Sequence, residues 1–91
     1  MEKLANLLIN HIKKIVSLRF QQGQEVQEED IVELASALLF EWRGDFGHSE
    51  EEIKLNQQAM LDFLNSVTLH NDYTIVRLLK AALRQKLGIK F

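Results

Sequence analysis

Apolar residues recur along the chain at spacings of three and four, and this rhythm divides it into four segments. In the first, from about Glu2 to Phe20, the residues Met1, Leu4, Leu8, His11, Ile15 and Leu18 fall on one line, the seam of a packed helix. Ala5, Ile9, Ile12 and Val16 make a second stripe beside it. Together the stripes form an apolar face wider than one partner helix usually covers. Gln21, Gln22, Gly23 and Gln24 end the segment, with Gly23 suited to a left-handed cap.

The second segment starts near Gln27. Glu28, Glu29 and Asp30 occupy its first turn, where the positive end of the helix dipole favours carboxylates. Ile31, Leu34, Ala35, Leu38, Leu39 and Trp42 then trace an amphipathic stripe, which the run from Arg43 to His48 interrupts. Ser49 and Glu52 have the spacing of a capping box and open a third helix. Its face is Ile53, Met60, Leu64 and Val67, flanked by Leu55, Ala59 and Phe63. A break follows at Leu69, His70 and Asn71, and Asn71 or Asp72 can cap the last helix. There Val76, Leu79, Leu83 and Leu87 define the stripe, with Ile75, Leu78 and Ala82 alongside, and Gly88 stops it. Tyr73, Thr74, Ile75 and Val76 are β-prone, but they sit inside a helical pattern that continues to Leu87.

The expected helices therefore span about 2–20, 28–43, 50–67 and 72–87. Their faces can all be buried only by packing on one another, which predicts an all-α fold: a small four-helix bundle or orthogonal array. Connections of about 4–7 residues make sequential helices neighbours, mostly antiparallel. The 91 residues form one domain, 1–91, near the lower end of what folds alone. The absence of proline and the presence of only four glycines favour long helices over strands and turns.

Charge is distributed unevenly. Residues 1–20 carry four Lys/Arg and one acid, residues 21–62 carry two and eleven, and residues 63–91 carry five and one. Basic ends and an acidic middle can attract one another inside a bundle, or the basic segments can face a partner.

Candidate chemistry is sparse. Cysteine is absent, so no disulfide, thiolate nucleophile or zinc–thiolate site can form, which fits a reducing compartment. His11, His48 and His70 lie in different segments, and none has a second histidine at i+3 or i+4, so a two-histidine metal site on one helix is excluded. His11 on the first seam reads as a partly buried, hydrogen-bonded residue, and His48 as a solvated residue beside acids. Ser17, Ser36, Ser49 and Ser66 stand in no nucleophile-elbow pattern, and no glycine-rich phosphate loop occurs. These features predict a protein that is not an enzyme and needs no metal or cofactor. Polar residues interrupt the N-terminal apolar positions as no signal peptide's do, and no apolar run approaches the ~20 residues of a membrane span, so a cytoplasmic protein is expected.

Two surfaces stand out. On the second helix Phe40 falls about 180° from Ile31, opposite the apolar stripe, with Glu33 and Ala37 beside it. Phe40 is either buried on the far side of a central helix or free for a partner. Trp42 and Phe46, in or beside the glycine-bracketed loop, can extend such a patch or cover the end of the bundle. On the last helix Arg77, Lys80 and Arg84 share a flank with Tyr73, a basic face that is either solvated or directed at phosphates or an acidic protein. Helix 3, a short break and a basic helix 4 suggest a helix-turn-helix unit, but the turn lacks the usual glycine and the balance of charge is acidic.

The run from Phe20 to Asp30, with Gly23 and its acidic triplet, and the helix lengths after it resemble in layout the small helical connector proteins of enteric two-component signalling. No residue role or function is carried over from that likeness. The function expected is binding of another protein, as a regulator, inhibitor, immunity protein or adaptor of bacterial or phage type. A homodimer is expected, since pairing relieves the marginal burial of a small chain. The alternative is a DNA-associated transcriptional regulator using the last helix.

Overall fold

Local capping chemistry decides where the helices of this chain start and stop. A computed structural model describes residues 1–66 and 73–89, and within them five helices occur: α1 (Glu2–Gln21), α2 (Glu28–Glu41), α3 (Arg43–Phe46), α4 (Glu50–Ser66) and α5 (Tyr73–Leu87). The fold is an all-α bundle. The break expected at Leu69–Asn71, the cap at Asn71 or Asp72, and the helix ends expected at 67 and 72 lie outside the described residues, as do His70, Lys90 and Phe91.

At the end of α1, Gly23 takes φ 77°, the Gly23 N–H donates to the Phe20 carbonyl (3.0 Å), and the Gln24 N–H donates to that of Arg19 (3.0 Å). This paired closure satisfies carbonyls that the helix leaves without partners. Gly88 closes α5 in the same way, with the Ile89 N–H on the Arg84 carbonyl at 2.9 Å. At the start of α2 the Asp30 carboxylate accepts the Gln27 N–H at 2.9 Å. The Ser49 hydroxyl oxygen accepts the Glu52 N–H at 3.2 Å, as the Ser49–Glu52 spacing predicts.

Between α2 and α4 the structure departs from expectation. The second helix stops at Glu41 rather than 43, and the interval expected to be a loop contains the short turn α3. Trp42 sits at φ −95°, ψ 16°, which breaks the α geometry. The Arg43 guanidinium then donates to the Phe40 carbonyl at 2.9 Å, satisfying an end of α2 from beyond it. Asn56 of α4 donates its side-chain N–H to the Phe46 carbonyl and so ties α3 down onto α4.

The core draws on every helix: Ala5, Leu8, Ile9 and Ile12 of α1; Ile31, Ala35, Leu38 and Leu39 of α2; Phe46; Met60, Leu61 and Leu64 of α4; and Val76, Leu78, Leu79, Ala82 and Leu83 of α5. On α1 the buried face is turned toward the second stripe. Met1, His11 and Leu18, expected on the seam, are exposed. A 3.5-residue seam drifts about 20° per heptad on a straight helix, so over α1 it rolls away from the core.

Helix directions follow from the contacts. Arg77 near the start of α5 pairs with Glu28 at the start of α2, and Lys86 near the end of α5 reaches Phe40 near the end of α2. These two helices therefore run the same way, and they make the most extensive helix–helix contact among the described residues. Glu51, Lys54 and Leu55 at the start of α4 share a depression with Leu87 at the end of α5, so α4 runs opposite to both. Met1, Lys3, Leu4 and Leu7 lie against Asp45 of α3, which sets α1 antiparallel to α2.

Gly47 sits where two segments crowd. A Cβ there would lie 2.6–2.9 Å from Cγ, Cβ and Cδ of Glu52, whereas a Cβ on Gly44 would meet nothing within 4 Å. The Glu52 Cβ is fixed by the backbone, so the clash cannot be relieved by side-chain rotation alone. Gly47→Ala is expected to destabilise the fold by about 1–3 kcal/mol in urea denaturation, the usual cost of overpacking. Gly44→Ala, inside a helical turn, is expected to be neutral or to stabilise by up to about 1 kcal/mol.

Candidate protein interface

The stripe of α2 faces the core, so the opposite side of that helix must face outward unless another element covers it. None of the described elements does. Phe40 is 57% exposed, and Ala37 and Glu33, one and two turns before it, are exposed as well. Cations gather on the Phe40 ring. The Arg43 guanidinium lies 4.2 Å from its centroid and the Lys86 ammonium 5.4 Å. The negative face of an aromatic ring attracts such groups by about 0.5–1 kcal/mol at an exposed site. The parallel course of α2 and α5 brings Lys86 there, although 46 positions separate it from Phe40.

Around the ring the ends of α2 and α5 meet the start of α4 in an open cleft of about 450 Å³. Leu39 and Gln57, both buried, form its floor with the half-buried Ile53, and Glu50, Glu51 and Lys54 stand on the α4 wall. A second depression, with Leu55 and Leu87, shares Glu51 and Lys54 with the first. Leu55 is 69% exposed, so the joined surface carries two large apolar side chains in water, set among charges of both signs. Isolated apolar residues on a surface are ordinary; an aromatic in a cleft rimmed by charge has the form of an interface anchor.

The five residues expected to form an interface separate. Phe40, Ala37 and Glu33 share the outward line of α2. Trp42 is half-buried on another side, its ring 5.4 Å from that of His11 at 56°. Phe46 is corrected as an interface residue in favour of the other setting expected for it, the end of the bundle: at 1% exposure it fills that end, held there by the Asn56 contact to its carbonyl. His11 is corrected in turn, from a partly buried seam residue to an exposed one packed on Trp42.

The basic face of α5 is divided too. Tyr73 is 70% exposed, and Lys80 and Arg84 are half-buried. Arg77 is engaged by Glu28, so part of the positive charge is neutralised within the fold. Arg43, Lys54, Lys86 and Leu55 did not figure among the expected interface residues. The position of Arg43 three residues after Phe40 was a readable signal; the arrival of Lys86 and of α4 depended on tertiary packing. Among the described residues no three His, Asp or Glu side chains converge on a metal-sized site.

No protein-family model matches the chain, and no curated protein or solved structure matches it.

The two phenylalanines provide a direct check on this division. Phe46→Ala is expected to cost about 3–5 kcal/mol of stability, since it empties a core site. Phe40→Ser should cost less than about 1 kcal/mol, because its ring is mostly in water and loses only weak cation contacts. Urea denaturation of both variants measures the difference.

Proposed function

We propose that this chain is a non-catalytic helical protein that works by binding protein, with the Phe40 cleft as its contact surface and a homodimer as its working form. One observation carries the reading: the Phe40 ring is held largely in water in a cleft flanked by Arg43, Lys54 and Lys86, which adds charged neighbours to an exposure that Phe20 and Tyr73 share, whereas Phe46 and Trp42 are turned inward or half-covered. Keeping such a ring exposed gives up burial of about 1.5–3 kcal/mol that a core position would supply, which a contact surface recovers on association. The same reading includes a regulatory, inhibitory, immunity or adaptor role of bacterial or phage type, in the cytoplasm, without metal or cofactor. No helix among the described residues is long and apolar enough to cross a membrane.

The DNA-associated alternative draws on Tyr73, Arg77, Lys80 and Arg84. Two observations weigh against it. Arg77 is paired with Glu28, and Lys80 and Arg84 are half-buried, so part of the basic flank is already engaged within the fold.

Sedimentation velocity over a concentration series, with and without a labelled DNA duplex at low salt, separates the readings. Dimer formation that is abolished by Phe40→Glu, with no shift of the duplex, is the expected result. A duplex shift that disappears with added salt, and weakens when Lys80 and Arg84 are neutralised, would transfer the function to α5.

A further inference from the structure

Net charge does not choose what enters the Phe40 cleft, because Arg43, Lys54 and Lys86 stand against Glu41, Glu50 and Glu51. The floor of the cleft is more selective. Gln57 is 6% exposed, the one buried polar side chain among the described residues. It lies in that floor with Leu39 and Ile53. Its carboxamide makes no hydrogen bond to another described residue. No side-chain nitrogen or oxygen among the described residues is both closed off from solvent and unpartnered, so the Gln57 carboxamide opens into the cleft. An open cleft lets water serve that group. An occupant that covers Phe40 displaces the water, and a buried amide left without partners then carries its full desolvation cost.

A glutamine presents donor N–H groups and an acceptor oxygen side by side, so an occupant must bring both an acceptor and a donor. A carboxylate brings acceptors alone and an ammonium donors alone. A peptide backbone brings both. In an extended segment the N–H and C=O of one residue point the same way, as in the hydrogen-bonded pairs of an antiparallel ladder. The side chain of that residue stands away from this edge, and Phe40, Leu39 and Ile53 offer it apolar contact. The cleft volume of about 450 Å³ lies within the ~300–1,000 Å³ usual for binding clefts. We infer that the Phe40 cleft takes an extended, uncharged peptide segment of the partner, with one residue's backbone N–H and C=O paired to the Gln57 carboxamide and its apolar side chain laid on Phe40. The inference rests on the protein-binding reading above and adds the chemistry of the group that enters the cleft.

The test titrates two capped leucines into isotope-labelled protein and reads its amide spectra. N-acetyl-leucine N-methylamide carries one complete backbone edge, and its analogue methylated on the leucine nitrogen lacks the donor. The first is expected to move the side-chain N–H signals of Gln57 together with the backbone signals of Ile53 and Phe40. The second is expected to bind at least about fivefold more weakly, because it leaves the Gln57 oxygen covered and unpartnered. Gln57→Met is close in shape but has neither polar group. It should weaken binding of the first probe by at least about fivefold, while its melting curve stays at or above that of wild type. The comparison of the two probes on wild type holds even if that variant fails to fold. Sedimentation of wild type and Phe40→Glu separates the two ways of failing. If Phe40→Glu abolishes association, but the probes bind alike or leave the Gln57 signals unmoved, the peptide assignment is overturned while the Phe40 surface stands. If Phe40→Glu leaves association unchanged and neither probe moves a cleft signal, both the inference and the reading beneath it fall.

Discussion

The parallel contact between α2 and α5 is the constraint on which the rest of the bundle depends. Ala35 on α2 and Ala82 on α5 are both fully buried, and side chains this small let two helix backbones approach closely. Leu38 and Leu39 on one helix and Leu78, Leu79 and Leu83 on the other are buried in the same core. A buried leucine truncated to alanine typically costs about 2–5 kcal/mol, a large share of the roughly 5–15 kcal/mol that holds such a domain together. The Arg77–Glu28 pair adds little by comparison, because both side chains are well exposed and solvent screens them. Its position marks the relative direction and register that the buried contact sets.

That register has a consequence at the opposite end. Once the starts of α2 and α5 are aligned, their ends are aligned as well, and Lys86 arrives over Phe40. α4 runs back beneath both ends and supplies a wall of Glu50, Glu51 and Lys54. The cleft is thus a by-product of helix direction: three helix ends meet there, and among the described residues no fourth element covers them. α3 closes the neighbouring corner with Phe46, while Phe40 stays outside the core in the cleft.

Much of this was readable from residue spacing. The four long helices, the glycine closures at Gly23 and Gly88, the Ser49 cap and the off-stripe position of Phe40 with Glu33 and Ala37 are local properties, set by periodicity and by the backbone groups each helix end must satisfy, whereas the exposure of Phe40 depends on what packs beside α2. What escaped was tertiary. The first helix carries two apolar stripes, and only the positions of its neighbours choose between them, so His11 and Leu18, which spacing puts on a seam, lie outside. Trp42 and Phe46 lie four residues apart around a helix break, and no periodic rule extends through a break; one packs on His11 and the other enters the core. The cations around Phe40 come from separate helices, and no spacing within one helix could have assembled them.

The cleft gains its meaning from being left open, so the most direct measurement is a dilution series of backbone amide spectra on the labelled protein. The account predicts that resonances of Glu33, Ala37, Phe40, Arg43 and Lys86 move together with concentration, while those of Tyr73, Arg77 and the α1 surface stay fixed. Concentration-dependent shifts confined to α1 or to the Tyr73 end of α5, with the Phe40 line unmoved, would contradict it.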